Sequence, residues 1–191
     1  MTFDENILWL KFKSGDADAL GEIFHNYFHD LYFYGLKFIP VPDIVKDVIQ
    51  EMFVKFWSNK EKLKHVRNIK SYLLVSFRRE LIHLSKNNKQ EFRENEIYAN
   101  DFTISPEDLI IELEGRKEFN HKLALSFHKL SPRQREVLFL RFYNNLDFNE
   151  LSDVLEMNVQ SVRNLLFRSL EILRKDLSGL TPYSVDSLEI E

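Results

Sequence analysis

Two carboxylates four residues apart, Asp47 and Glu51, share a face of any helix that carries them, the geometry of a general acid set beside a general base. Neither an activated nucleophile nor a glycine-rich cradle accompanies them, so a surface for a partner, or a plainly solvated acidic face, is the stronger reading. His25 and His29 have the same spacing, which suits two ligands of a zinc ion, but no third ligand stands near and their neighbours are Phe and Tyr. The chain holds no Cys, which removes disulfides, thiolate zinc sites and thiol nucleophiles and agrees with a reducing compartment. We therefore read a non-enzymatic protein with no cofactor, no metal and no small-molecule substrate.

Binding chemistry is better represented. The formal net charge of −4 speaks against a nucleic-acid partner until its distribution is followed. From Lys55 to Gln90 ten basic residues face only Glu61 and Glu80, a net of +8, whereas residues 1–51 carry −5 and residues 91–120 carry −6. Lys60, Lys62, Lys64, Arg67, Lys70, Arg78, Arg79 and Lys86 belong to this basic island. Acidic blocks beside a basic one predict nucleic acid at the island and a protein partner at an acidic face.

A second binding element is "ELSDVLEMNVQSVRNLLFRSL", Glu150 to Leu170, two helical patterns hinged at Met157-Asn158. In a helix-turn-helix, apolar residues must fall where the two helices cross. Leu151, Leu155, Met157, Val162 and Leu165 do so, with the small Ser152 at the closest approach. Asn158 can cap the second helix, whose solvent side then shows Gln160, Ser161, Arg163, Asn164, Phe167 and Arg168, a mixture of base-edge and phosphate partners. Glu156 stands where such a turn usually has Gly, at a cost of about 1 kcal/mol if its φ is positive. Taken alone, the stretch reads equally well as a plain αα-hairpin.

These residues need helices to position them, and helical spacing runs almost throughout. Phe24, Tyr27, Phe28, Leu31 and Tyr32 follow the i, i+3, i+4 rule, as do Val45, Val48, Ile49, Met52, Phe53 and Phe56, with no competing strand alternation. The expected fold is all-α: two small helical domains joined by a flexible linker, the C-terminal one carrying the helix-turn-helix. A first domain, 1–89, holds a short helix over Asn6–Lys13, a long one capped by Asp16, a third capped by Asp43 and fraying near Ser58-Asn59, and a fourth from Ile69 to Lys86. Residues 90–106 lose the period and read as a solvated linker. The second domain, 107–180, begins with a helix capped by Ser105 and running from Glu107 to Leu130. In "LSPRQRE" Ser131 caps the next helix, with Pro132 at its first position and Gln134 three residues on. Residues 181–191 form a tail. Nothing resembles a signal peptide or membrane span, so the cytoplasm, without membrane insertion, is the expected setting.

"DIVKDVIQEMFVKFW", followed after a basic loop by "NIKSYLLVSFRRELIHL" (Asn68 to Leu84), resembles the second conserved domain of bacterial RNA polymerase sigma factors. "LSPRQREVLFLRFYNNLDFNELSDVL" leading into "NVQSVRNLLFRSLEILR" resembles their fourth. Two such domains on a short chain resemble the extracytoplasmic-function group. The resemblance implies that Asp47, Gln50, Glu51, Phe53 and Trp57 dock on core RNA polymerase. It also implies that the loop Asn59–Arg67 captures a flipped base of the minus-ten promoter element while Lys70, Arg78, Arg79 and Lys86 track the strand. Gln160, Ser161, Arg163, Asn164 and Arg168 would then read the minus-thirty-five element from a helix spanning Val159 to Asp176. Leu165 and Phe167 depart from the basic residue and the His common at those places. Promoter DNA, core polymerase and an anti-sigma factor are the implied partners. A stand-alone helix-turn-helix regulator and a helical protein-binding adaptor are the alternatives.

Overall fold

The computed structural model describes residues 5–87, 102–103 and 117–178. Among them every regular element is helical and no strand occurs, so the fold class is all-α. The chain divides into two compact units, one built on residues 1–101 with the short segment 153–156 and the other on residues 102–152 and 157–191.

The first unit holds α1 (Glu5–Lys13), α2 (Ala17–Leu36), α3 (Pro42–Ser58), a 3-10 turn (Lys60–Lys62) and α4 (Ile69–Asn87). α2 is central and packs on α1, α3 and α4. Its start is set by Asp16, whose carboxylate accepts the backbone N–H groups of Asp18 (2.9 Å) and Ala19 (3.1 Å), satisfying donors that have no partner inside a helix. α3 begins differently from the expectation. Pro42 occupies the first helical position and Val41 the cap, with no side-chain cap. Proline is pre-set for that place and has no N–H to leave unpaired. Asp43 therefore sits inside the first turn, where it favours the helix dipole and pairs with Lys46 at 3.2 Å.

Gly35 lets the central helices meet. A Cβ there would lie 2.7 Å from Cγ1 of Val45 on α3 and 2.9 Å from the Phe77 ring on α4. Trp9, Phe12, Ile23, Leu31, Tyr34, Ile49, Met52, Leu73 and Phe77 fill the core around this contact, all essentially inaccessible. Side chains so buried contribute on the order of 1.5–3 kcal/mol each, which makes the three-helix junction the main source of this unit's stability.

The second unit holds α5 (Lys117–Lys129), α6 (Pro132–Phe142), α7 (Phe148–Leu155) and α8 (Val159–Leu177). Ser131 and Gln134 close the expected capping box on α6, with Pro132 at the first position. A second reciprocal pair starts α7: the Glu150 N–H donates to Asp147 Oδ1 (2.8 Å) and the Asp147 N–H to Glu150 Oε2 (2.7 Å). α8 packs across α5 and α6 through Val162, Leu166, Ser169, Leu170, Leu173 and Leu177. Phe102, which the sequence places in the polar linker, is buried here with its ring 5.5 Å from that of Phe139. A single aromatic has no periodicity to betray its burial. The Ser105 cap, the first turns of the helix expected from Glu107, the remainder of the linker and the tail lie outside the described residues.

Candidate nucleic-acid and polymerase interface

On α3 the buried stripe is Val45, Ile49, Met52, Phe53 and Phe56, which turns Asp47, Gln50, Glu51 and Val54 outward. These four, with Lys55, line a shallow depression of about 460 Å³. Val54, 65% exposed, sets one apolar side chain beside the acids. Phe53 does not join this face. It is 5% exposed, and its ring meets Phe24 (5.0 Å) and Phe56 (6.1 Å), so it shapes the helix from within. Trp57 is half-buried at the end of α3, and the Lys60 ammonium lies 4.3 Å above its ring. α3 and the basic loop are thus joined by a cation–π contact.

The loop exposes Lys62, Lys64 and Arg67, while Lys60 is half-buried against Trp57. α4 then begins with Asn68 as cap, its side chain accepting the Ser71 N–H at 2.7 Å. Along α4 the expected basic track divides. Arg79 is exposed, and Lys70 is largely covered together with its partner Asp30 at 2.8 Å. Arg78 is 7% exposed and faces the interior, which corrects its placement on a strand-tracking surface. Adjacent residues on a helix are turned about 100° apart, so Arg78 and Arg79 cannot share a face. The side chain of Lys86 lies outside the described residues. Phe77 belongs to the core and Tyr72 is half-buried at its edge. Tyr72 packs edge-on against Trp9 at 5.4 Å, and burial pushes its hydroxyl above the ordinary tyrosine range.

Sequence reasoning missed the residues that hold the loop. The Trp9 indole N–H donates to the Lys64 carbonyl at 3.0 Å, and the Glu5 carboxylate accepts both the Ile69 N–H (2.9 Å) and the Tyr27 hydroxyl (2.7 Å). Burial and the Glu5 bond push the Tyr27 hydroxyl far above its usual range. These partners lie 22 to 64 positions apart, so no local spacing announces them.

In the second unit α7 and α8 form the hairpin. Leu151, Leu155 and Val162 are buried as expected, but Met157 and Leu165 are only half-covered and Leu166 takes the buried place. A period of 3.6 running from Val162 reaches Leu166 rather than Leu165. The hinge residue Glu156 has φ 53°, the left-handed conformation in which glycine is usual, and the Asn158 carboxamide caps α8 by accepting the Ser161 N–H at 2.8 Å. α8 exposes Gln160, Arg163, Asn164, Phe167 and Arg168, with Ser161 half-buried. Gln160 Nε2 donates to Asn164 Oδ1 (3.1 Å), tying the two amides together one turn apart. The Arg163 guanidinium lies over Phe148 of α7. No cluster of His, Asp and Glu suited to a metal occurs among the described residues, and His25 and His29 both face outward.

A family model described as sigma-70, region 4 matches residues 121–173, the segment that contains the hairpin. The chain is similar to the ECF RNA polymerase sigma factor SigW of Bacillus subtilis, 22% identical over 88% of this chain and 94% of that protein. It is also similar to RNA polymerase sigma factor SigV of the same species, 23% identical over 78% and 85%. Among solved structures, CnrH in complex with the cytosolic domain of CnrY shares the fold with a TM-score of 0.61 at 21% identity, covering 93% of this chain and 99% of that one. The sigma factor RpoE in complex with the anti-sigma factor NepR, from Bartonella quintana, gives 0.59 at 16% identity, covering 83% and 96%. The hairpin thus lies within a sigma-70 region 4 match, and the chain as a whole is similar to RNA polymerase sigma factors, SigW of the extracytoplasmic-function (ECF) group among them, over most of its length.

Proposed function

We propose that the chain binds core RNA polymerase and directs it to specific promoters, itself catalysing nothing. The region 4 hairpin carries this reading, because α8 presents two amides and two arginines on one open face, the side-chain types that pair with base edges and phosphates in a major groove. Gln160, Ser161, Arg163, Asn164 and Arg168 read the minus-thirty-five element. In the first unit Asp47, Gln50 and Glu51, with Val54 beside them, form the polymerase face, Phe53 supports it from inside, and Trp57 links it to the loop. Lys60, Lys62, Lys64, Arg67 and Arg79 engage minus-ten DNA, and Lys70 joins them where Asp30 releases it. On this assignment the domains are 1–89 for docking and melting and 107–180 for upstream recognition, joined by the linker 90–106.

An anti-sigma factor is the expected regulatory partner, since the structural relatives CnrH and RpoE are each seen in complex with another protein and NepR is an anti-sigma factor. Among the described residues no helix is long and apolar enough to cross a membrane. A lone helix-turn-helix regulator would leave the acidic face of α3 without work. Run-off transcription with purified core polymerase on a genomic library tests the proposal. Start sites sharing two upstream elements should appear only when the chain is added. Specific operator binding by the free chain, with no stimulation of core polymerase, would refute it.

A further inference from the structure

We propose that α1 is a clamp on the basic loop, and that Trp9 and Glu5 are positioning residues that hold the loop in register to receive a splayed base. The inference rests on the assignment of the loop Asn59–Arg67 to minus-ten DNA and deepens it.

Two hydrogen bonds and one close passage of backbone lead from α1 and its C-terminal turn to this loop. At the loop's entrance Gly15, with φ +95°, ends α1 in a left-handed turn, and a Cβ built on it would stand 3.5 Å from Cε of Lys60. The positive φ is what calls for glycine there, since a Cβ at that distance would be in ordinary contact, and the Lys60 ammonium lies over Trp57. In the middle, the Trp9 N–H binds the Lys64 carbonyl at 3.0 Å across 55 positions of sequence. At the exit, Glu5 takes the Ile69 N–H at 2.9 Å, satisfying a first-turn donor of α4.

The anchors are themselves held by neighbours. Trp9 is 1% exposed and its ring is wedged against Phe12 (5.1 Å) and Tyr72 (5.4 Å). Glu5 is steadied by the Tyr27 hydroxyl at 2.7 Å, which ties it to the central helix. Between these anchors the loop backbone runs from Leu63 to Asn68 with no regular structure, while Lys62, Lys64 and Arg67 point to solvent. A loop that must accept an extruded base gains from being held beforehand, because ordering it at the moment of binding would subtract from affinity. Trp9 is buried and the half-buried Glu5 has both carboxylate oxygens engaged by Tyr27 and Ile69, so their effect on base capture is indirect.

The test uses holoenzyme assembled from core polymerase and the full chain, with a fluorescent single-stranded oligonucleotide carrying the minus-ten sequence found by run-off mapping. Each position in turn is made abasic. Wild type should lose about tenfold in affinity at the captured base, the scale of one stacked base. Replacing the Trp9 indole with its benzothiophene isostere keeps ring and volume and deletes only the N–H donor. That variant, and Glu5→Gln, should bind the abasic and intact strands within about twofold of each other, with helix content, thermal midpoint and core affinity unchanged. Full discrimination by both variants would overturn the clamp while leaving the minus-ten assignment intact. Loss of discrimination that tracks a fall in thermal midpoint or core affinity would also overturn it, by making both residues merely structural. A wild-type holoenzyme indifferent to every abasic position would refute the minus-ten assignment and the clamp together.

Discussion

The Arg163 guanidinium on α8 stacks over the Phe148 ring at the start of α7, 4.9 Å from its centroid. Phe148 is 8% exposed and carries Arg141 near it as well, at 5.2 Å. Arg163, proposed above to read DNA, is therefore oriented by the other helix of the hairpin, since cation–π contact restricts a side chain that otherwise samples many rotamers.

Arg163→Ala is expected to relax sequence preference at one base pair by about 1–3 kcal/mol, the value of a bidentate base contact. Phe148→Leu should soften preference at that same base pair to a lesser degree while lowering stability by about 1 kcal/mol. Selection of promoters from a randomised minus-thirty-five library by each holoenzyme checks both. An unaltered profile for Phe148→Leu would show that the stacking does not serve recognition.

Reversal of the α3 acids, Asp47→Lys with Glu51→Lys, is expected to weaken association with core polymerase at least about tenfold, because like charges brought together across an interface cost several kcal/mol. Both side chains are exposed, so stability should move by no more than about 0.5 kcal/mol per substitution. Competition binding against the wild-type chain measures the first effect and thermal unfolding the second. Core affinity equal to wild type would remove this face from the docking surface.

Two glycines of α2 should respond in opposite directions. Gly21→Ala meets nothing within 4 Å, so the helix propensity of alanine should raise stability by about 1 kcal/mol. Gly35→Ala drives a methyl into Val45 and Phe77, an overpacking cost of about 1–3 kcal/mol that outweighs the same gain. Differential scanning calorimetry should show a higher midpoint for the first variant and a lower one for the second. A rise for Gly35→Ala would mean that α3 and α4 shift apart easily.

Glu156→Gly is expected to stabilise the hairpin by about 1 kcal/mol, because the φ of 53° at the hinge strains any residue with a Cβ. Chemical denaturation compares the two proteins. Loss of stability would indicate that contacts of the Glu156 side chain outweigh the strain of its backbone.

Local features were legible because their physics is local. A helix cap needs only a short polar side chain beside the first free N–H groups, so Asp16, Ser131 with Gln134, and Asn158 could be named before any fold was known, and each accepts the bond expected of it. The all-helical class followed from apolar spacing, and the solvent side of α8 from the residues left over. What needed the tertiary structure was every choice among neighbours on one helix: Phe53 inside rather than on the docking face, Arg78 buried beside an exposed Arg79, Leu166 rather than Leu165 beneath the hairpin. Periodicity bounds an apolar stripe to within about a residue, whereas the exact crossing of two helices decides its edge. The partnerships of Trp9 with Lys64, Glu5 with Ile69 and Phe148 with Arg163 lay further beyond reach. Each joins elements distant along the chain, and only the packing of those elements brings donor to acceptor and ring to cation.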